Sequence, residues 1–508
     1  MKRLLFGFVC GIALIPIALL AKVVVINSNH AAYDGHQIVL KGSVVVDHAA
    51  GVLTANRVVM KPKAGKDGEF ETIDLNEHVW LRLCGGGELL CHQAHLNLIA
   101  GVGTCLGNNE REYVVFHEYC TGAGGEKIPV TMKSRELSLI FLRDDQKTDS
   151  SLQEKVQQIE AREEVTISYN HDFIASGNRA IFYRQEEENA SDASSVLPGQ
   201  VVMTGSEGAA TCQVTNQRGD LVYAKTMTLD TTARQLEMEN MRGTMVVEGD
   251  EKKAPGVLSI CADRASWEEK SGIVTLLGNV EVNDPDMGLL KSKERIILFM
   301  DGQQPKQWVR AEAEGESTLI YKGKDGPGMK TLKSYGSCVL DHSALEVRLN
   351  SPKDGEGKVL DGKQVFYTDE RGDILADQVS IHYRHDESGV SPERIVLYGH
   401  VKIVNRDGGI SKDRTKAQQY VLADRVDFFP ATQLMELKGT KGRRVLFFDE
   451  ANELQVSAQV LKVRRDRLSS REMVEGGGDV RFYLVDQEIE KLRQQFSLDR
   501  IVGKTKDK

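Results

Sequence analysis

The sequence predicts an all-β protein built from repeated units of antiparallel strands. Three observations predict it: a nine-residue strand phrase that occurs three times, many turn dipeptides such as Asp-Gly, and a composition with 47 Gly but only 11 Pro in 508 residues. Alternating apolar and polar residues are typical of a half-buried strand, and Gly-containing dipeptides close hairpins. The expected architecture is an open, solenoid-like stack of short strands with little helix.

The recurring phrase follows the template ΦxLxGxVxΦ, in which Φ is an apolar residue. It occurs as IVLKGSVVV at 38–46, VTLLGNVEV at 274–282 and IVLYGHVKI at 395–403. With a strand period of two, the apolar positions share one face and the other face is mostly polar. The central glycine predicts a bulge or bend where another backbone comes close. The inward residues that we predict from the phrase are Ile38, Leu40, Val44, Val46, Leu276, Val280, Val282, Leu397, Val401 and Ile403.

A second strand phrase, A-D/N-R/Q-V/A, follows the first after a polar turn. Its strong copies are LTANRVVM from Leu53 and VLADRVDFF from Val421. Repeats of this kind indicate a stack in which each unit buries its apolar face only against its neighbours. Weaker copies of the second phrase begin at Leu221, Cys261 and Leu375, and imperfect copies of the glycine phrase include Gly243 with Met245 and Gly478 with Val480.

The N-terminus carries an export signal or a membrane anchor at residues 1–21. Lys2 and Arg3 precede an apolar run from Leu4 to Ala21, which is the order found in signal peptides and in single anchors. The run is near the lower length limit for crossing a bilayer and ends in a poor cleavage pattern. Cleavage and retention therefore both stay open.

Two polar stretches interrupt the strand pattern. Residues 143–164 suit a short helix, and residues 184–199 suit a loop. We therefore predict a first β unit at 22–145, middle β units at 165–390 and a C-terminal β unit at 391–508. Residues 486–496 have the apolar spacing of a terminal helix.

Cysteines are concentrated in the first unit, at Cys84, Cys91, Cys105 and Cys120. Export makes two disulfides among these four plausible, although their pairing cannot be read from spacing. Cys84 and Cys91 also lie near His92 and His95, but this spacing fits no zinc pattern, so disulfide or strand-face roles are favoured. We predict no metal and no cofactor.

The two phrases together resemble the OstA-like family, also called LptA-like, the periplasmic bridge proteins of lipopolysaccharide transport. The matching stretches are 34–60 and 394–429, and the middle copy keeps Gly-Asn-Val at 278–280 but has Lys-Ser-Lys-Glu-Arg at 291–295. The resemblance implies repeated twisted β-jellyroll units, open along one side, whose apolar interior holds the acyl chains of lipopolysaccharide. It also implies a periplasmic location, by export or by tethering to the inner membrane, and partner transport proteins that pair through strand edges.

The motifs of common enzymes are missing. No GxSxG, HExxH, CxxC, Walker or Rossmann pattern occurs, and the net charge of -9 argues against a nucleic-acid partner. We therefore predict a non-enzymatic, lipid-binding bridge protein. Two alternatives stay open: a β-repeat structural or adhesion protein with a filled core, and a carbohydrate-active β-solenoid enzyme whose paired acids spacing does not reveal.

The polar residues of the second phrase have two readings. Arg57 and Arg425, with Asn56 and Asp424, are candidates to meet a lipid phosphate. Turn and cross-strand contacts are the favoured roles, because charged strand residues usually pair with their neighbours.

Overall fold

The fold is known from a computed structural model. It describes residues 23–48, 51–63, 70–83, 87–108, 113–121, 127–141, 156–169, 173–184, 199–205, 211–217, 219–230, 233–247, 256–268, 270–285, 287–301, 308–322, 329–369, 371–386, 389–406, 418–440, 442–450, 453–465 and 472–484. The predicted leader at 1–21 and the predicted terminal helix at 486–496 lie outside these residues.

All regular structure in the described residues is β-strand, and the strands pair antiparallel in one large sheet. The prediction of an all-β fold is therefore confirmed. No helix within the described ranges is long and apolar enough to cross a membrane. The expected short helix at 143–164 is wrong from residue 156 onward, because a strand begins there.

Contacts divide the chain into two compact units, Met1–Met238 and Glu239–Lys508. The predicted boundaries, near 145–165 from a polar stretch and near 390 from the return of the glycine phrase, stay predictions. The strands that begin in the first unit are β1 (Val23–Asn27), β2 (His30–Tyr33), β3 (Ile38–His48), β4 (Gly51–Pro62), β5 (Phe70–Leu83), β6 (Glu88–Asn97), β7 (Val102–Leu106), β8 (Val114–Thr121), β9 (Lys127–Ser134), β10 (Glu136–Phe141), β11 (Val156–Tyr169), β12 (Phe173–Arg184), β13 (Gly199–Thr204), β14 (Cys212–Asn216), β15 (Leu221–Ala224), β16 (Thr226–Asp230) and β17 (Gln235–Val247).

The strands of the second unit continue the same series. They are β18 (Gly256–Glu268), β19 (Ile273–Leu277), β20 (Val280–Asp284), β21 (Gly288–Ser292), β22 (Arg295–Met300), β23 (Trp308–Glu314), β24 (Ser317–Lys322), β25 (Met329–Ser334), β26 (Ser337–Asp341), β27 (Glu346–Asn350), β28 (Val365–Thr368), β29 (Gly372–Ala376), β30 (Gln378–Asp386), β31 (Gly389–Asn405), β32 (Gln419–Phe429), β33 (Leu434–Lys438), β34 (Val445–Asp449), β35 (Leu454–Ala458), β36 (Val460–Arg465), β37 (Glu472–Gly477) and β38 (Arg481–Leu484).

Pairing in the second unit follows two ladders that share their long strands. The first ladder runs β18-β19-β22-β23-β26-β27-β30-β31-β32-β33-β36-β37. The second runs β18-β20-β21-β24-β25-β28-β29-β31-β32-β34-β35-β38. In β31, for example, residues 389–398 pair with β30 and residues 402–405 pair with β29. One end of a long strand therefore pairs in the first ladder, and its other end pairs in the second.

The first unit has the same arrangement. Its first ladder runs β2-β3-β4-β5-β6-β7-β10-β11-β12-β13-β16. Its second runs β1-β3-β4-β5-β6-β8-β9-β11-β12-β14-β15. The two ladders again meet within the long strands.

The glycine of the ΦxLxGxVxΦ phrase marks the place where the chain changes ladder. We call this place a corner: two consecutive residues with positive φ, such as Gly42–Ser43 (76° and 46°) and Gly399–His400 (71° and 43°). The pairing register shifts there, between Lys41 and Val44 in β3. The further glycine corners are Gly278–Asn279 and Gly478–Asp479. The bend predicted at the central glycine is therefore confirmed.

The imperfect copy at Gly243 is not a corner. The residue of β17 with positive φ is Asn240 (50°), three positions earlier. The predicted copy at Gly478, by contrast, is a corner with φ of 68°.

Candidate functional site

The candidate site is the inner face of the two ladders, on which the predicted residues lie. In the second unit, register partners on eleven successive strands of the first ladder direct apolar side chains inward, next to the corners. None of them is more than 3% exposed. At about 4.8 Å between strands, this row is on the order of 48 Å long. Its members are Ala265, Leu276, Ile296, Ala313, Cys338, Leu349, Val379, Leu397, Val426, Leu437 and Leu461.

The first unit has an equivalent inward row across ten strands. Its members follow one another as register partners and are at most 6% exposed. The apolar row is thus a property of both units. It consists of Leu40, Val58, Leu75, Ala94, Cys105, Leu137, Ala161, Ala180, Met203 and Met227.

The ten residues predicted to face inward occupy equivalent positions in the two units rather than one cluster. In each phrase, the leucine two positions before the glycine and the valine two positions after it flank the corner. Leu397 therefore belongs to the first ladder and Val401 to the second. Ile38 and Val46 are partly buried. The other eight are between 0% and 8% exposed: Leu40, Val44, Leu276, Val280, Val282, Leu397, Val401 and Ile403.

The second phrase is explained by the same geometry. Its alanine is inward in one ladder and its final residue is inward in the other, as Ala376 (0% exposed) and Val379 (3%) illustrate. Its Asp or Asn lies against the neighbouring corner: the Asp377 backbone N–H donates to the Gly399 carbonyl at 3.0 Å. The His400 ring nitrogen Nδ1 lies 2.7 Å from the carboxylate of the same Asp377. The second phrase therefore consists of a small inward residue followed by an Asp or Asn that contacts the corner of a neighbouring strand.

Sequence reasoning missed three inward serines in the second unit. Ser292, Ser317 and Ser334 are register partners in the second ladder and are at most 4% exposed. They take the place of the alanine, and the Ser334 hydroxyl donates to the Asn350 carbonyl at 2.9 Å. The dipeptide Lys-Ser, which occurs at 291–292 and again at 333–334, is the sequence signal that finds two of the three.

Tyrosines lie on the inner face of the ladders, further along the strands from the corners than the apolar row. Burial raises the pKa of Tyr321 to about 12 and also raises the pKa of Tyr367. The Tyr367 hydroxyl donates to the Asp369 carboxylate at 2.6 Å, and the Tyr383 hydroxyl donates to the Asp341 carbonyl at 3.3 Å. The inner side is therefore apolar next to the corners and hydrogen-bonding towards the far ends of these strands.

The polar residues of the second phrase make different contacts in the two units. Arg425 donates to Asp427 at 2.8 Å and lies over the Tyr398 ring at 5.0 Å, and Asp424 accepts from the Thr440 backbone at 2.7 Å. These are the turn and cross-strand roles that the sequence favours. Arg57, on the outer face, has no ion pair within the described residues.

The cysteine-rich region does not form the two disulfides that its sequence suggests, and Cys84 lies outside the described residues. Cys91 and Cys105 are free thiols, so the expectation of two disulfides among the four cysteines is wrong. The Cys91 thiol and burial raise the pKa of Cys105. Cys91 is inward, whereas His95 is on the outer face with Nδ1 2.6 Å from Asp74 Oδ1. Within the described part of the chain, no three His, Cys, Asp or Glu side chains are placed to hold a metal.

Comparison with known proteins gives no family for this chain. It matches no protein-family model and shows no significant similarity to any curated protein.

Proposed function

We propose that this chain is a non-enzymatic, lipid-binding bridge protein that takes part in transporting lipopolysaccharide to the outer membrane. It is built from OstA-like twisted β-jellyroll units and works in the periplasm, exported or tethered to the inner membrane by residues 1–21. The observation that carries the proposal is the inward apolar row, which continues without a polar interruption across ten strands in one unit and eleven in the other.

The physical reason is the cost of moving acyl chains through water. Burying a methylene group is worth about 0.8 kcal/mol, so a carrier of several long chains needs a long and continuous apolar path. A row on the order of 48 Å, at about 4.8 Å for each strand, supplies such a path along the strand stack. The tyrosines further from the corners, such as Tyr321 and Tyr367, suit the boundary between acyl chains and sugars.

The outermost strands among the described residues support the proposed partners, which are other lipopolysaccharide-transport proteins. Phe482 and Tyr483 on β38 are 61% and 47% exposed, and Met473 on β37 is 59% exposed. In the first unit, Tyr33 on β2 is 66% exposed and Ile26 on β1 is 44% exposed. Exposed apolar residues on edge strands suit pairing with the edge of another protein.

A second candidate is a structural or adhesion protein with a filled core. The observation that favours it is burial: Val44, Leu276 and Val401 are each 0% exposed, so protein side chains already cover them. Under the transport proposal, the two ladders must separate away from the corners to admit acyl chains.

Photocrosslinking distinguishes these functions. A photoreactive amino acid replaces Val44, Val280 or Val401 in cells that make lipopolysaccharide, and the purified protein is analysed by mass spectrometry. The outward positions Lys41 and Lys402 serve as matched controls. We expect lipid adducts at the three inward positions and none at the two controls.

Two results would oppose the transport proposal. Clean protein at all inward positions, with the probe incorporated and the fold intact, would favour the filled core. Equal adduct formation at inward and outward positions would mean nonspecific contact with lipid.

A further inference from the structure

A cavity of about 430 Å³ lies on the outer face of the first unit, where β4, β5, β6 and β7 pair side by side. This cavity is a depression in the sheet surface that is open to solvent. Val59 lies in its floor and is only 9% exposed although its side chain points outward. The polar side chains that line the cavity include Arg57, Lys61, Asp74, Asn76, Gln93 and His95.

The cations of this cavity differ from the arginines of the neighbouring outer surface. Arg162 and Arg179 both pair with Glu160, at 2.8 and 2.6 Å. Arg57 and Lys61 make no ion pair with any residue that the structure describes. They stand four residues apart on β4, with Val59 between them, so strand geometry places both side chains on the same face. Two positively charged side chains therefore line the cavity, and neither makes an ion pair with a described carboxylate.

The one carboxylate in the lining is already engaged. Asp74 Oδ1 lies 2.6 Å from His95 Nδ1, which fixes the ring and leaves its other nitrogen free to contact a ligand. The Gln93 and Asn76 amides add neutral hydrogen-bonding groups at the same wall. A guanidinium, an ammonium and several neutral donors form a set that suits a compact oxyanion.

We infer that this cavity binds the phosphate group of a small phosphate monoester, with Arg57 and Lys61 as its charged donors. The site is on the face opposite to the inward apolar row, because Arg57 and Val58 are successive residues of one strand. Its polar side chains are separate from that row, although Leu75 and Ala94 of the row also line the cavity. Phosphate recognition here goes beyond the proposed lipid transport and stands without it.

Calorimetric titration of the full-length protein tests the inference. Inorganic phosphate and glucosamine 6-phosphate are titrated separately, and tighter binding of one or the other identifies the source of the phosphate group. We expect Arg57→Gln to weaken binding of the better ligand about tenfold, which corresponds to about 1.4 kcal/mol. The double variant Arg57→Gln with Lys61→Gln should weaken it about a hundredfold, which is twice that free energy.

Lys133→Gln is the matched control, since Lys133 is an exposed lysine on another strand, β9, away from the cavity. It should leave the affinity unchanged, and thermal unfolding should be equal in all variants. The inference is overturned if neither ligand binds at tens of millimolar. It is also overturned if the double variant binds as well as the unaltered protein, or if the control loses affinity equally. None of these results depends on lipid adducts at Val44, so the two proposals fail separately.

Discussion

Two corners of this protein have the same backbone conformation but differ in sequence, since one contains glycine and the other contains two glutamates. Gly399–His400 in β31 has φ of 71° and 43°, and Glu163–Glu164 in β11 has φ of 61° and 52°. A residue with a Cβ in this left-handed region costs about 1–2 kcal/mol. The glycine corner has this strain at one residue, His400, whereas the other corner has it at both Glu163 and Glu164.

The neighbouring strand explains the difference. At Gly399 the Asp377 side chain lies over the corner, and a Cβ would overlap its carboxylate. At Glu163 the neighbour is Arg135, whose backbone N–H donates to the Glu163 carbonyl at 3.1 Å. The Arg135 side chain reaches the next residue, with Nη2 2.9 Å from Glu164 Oε1. Glycine is therefore required where a neighbouring side chain, such as Asp377 at Gly399 or Asn29 at Gly42, lies over the corner. Other residues are tolerated where the neighbouring side chain extends past it.

The largest expected effect comes from adding a methyl group at the glycine corner. Gly399→Ala introduces both the left-handed strain and the overlap with Asp377. Each contribution is on the order of 1–2 kcal/mol, so we expect the free energy of unfolding to fall by about 3 kcal/mol. Chemical denaturation of the full chain measures it.

Two variants separate these contributions. Gly355→Ala adds the same methyl group in a turn where nothing lies within 4 Å, and should change stability by less than about 0.5 kcal/mol. Adding Asp377→Ala to Gly399→Ala removes the overlap and should restore part of the loss. If the double variant is no more stable than Gly399→Ala, the acid does not explain the need for glycine.

The next effect concerns the alanine of the second phrase, which lies inward beside the corner. Ala376 is 0% exposed, so Ala376→Leu adds three carbons where the ladders meet. Overpacking of this kind costs about 1–3 kcal/mol, and we expect about 2 kcal/mol by chemical denaturation. Ala344→Leu, in an exposed turn, is the control and should be nearly neutral. Equal effects for both would show that the alanine is not chosen for its size.

The template with a central glycine finds only those corners that contain glycine. Relaxing the template to ΦxLxExVxΦ finds IDLNEHVWL at 73–81, whose Glu77 and His78 form a corner with φ of 64° and 54°. The related stretch IEAREEVTI at 159–167 is the corner of β11. Its residues 159–164 lie in the stretch that the sequence predicts as a short helix, because its charges hide the period of two. Pairing with β10 and β12 shows that it is a strand.

The inward residues were easier to predict from the sequence than the contacts between neighbouring strands. Eight of the ten residues predicted from the strand period are at most 8% exposed, because burial on one face constrains alternate positions. The partners of each corner could not be read, since Asp377 contacts Gly399 only through ladder pairing. The outer cavity also depends on residues from four strands, and no local pattern joins them.

A smaller effect, of opposite sign, is expected at the carboxylate corner. Glu163→Gly removes the left-handed strain of about 1–2 kcal/mol. It also raises the conformational entropy of the unfolded chain, which lowers stability by about 0.5–1 kcal/mol. We therefore expect a net gain of about 0.5–1 kcal/mol in the free energy of unfolding. Gln158→Gly, in the regular part of the same strand, should instead lose about 0.5–1 kcal/mol. Destabilisation by both variants would mean that the Glu163 side chain stabilises its corner.

The smallest effect is a pH dependence of stability at the carboxylate corner. Arg135, and then Tyr113 at 2.8 Å, lower the pKa of Glu164 below its ordinary value of 4.5. A carboxylate with a lowered pKa in the folded state stabilises the fold above pH 4.5 and loses that contribution as the pH falls through its folded pKa. Glu164→Gln should therefore lower the denaturation midpoint at pH 7, and its difference from the unaltered protein should shrink below pH 4.5. Glu163→Gln, the same change beside it, should have less effect at pH 7. A difference that stays constant with pH would show that packing, rather than charge, holds this corner.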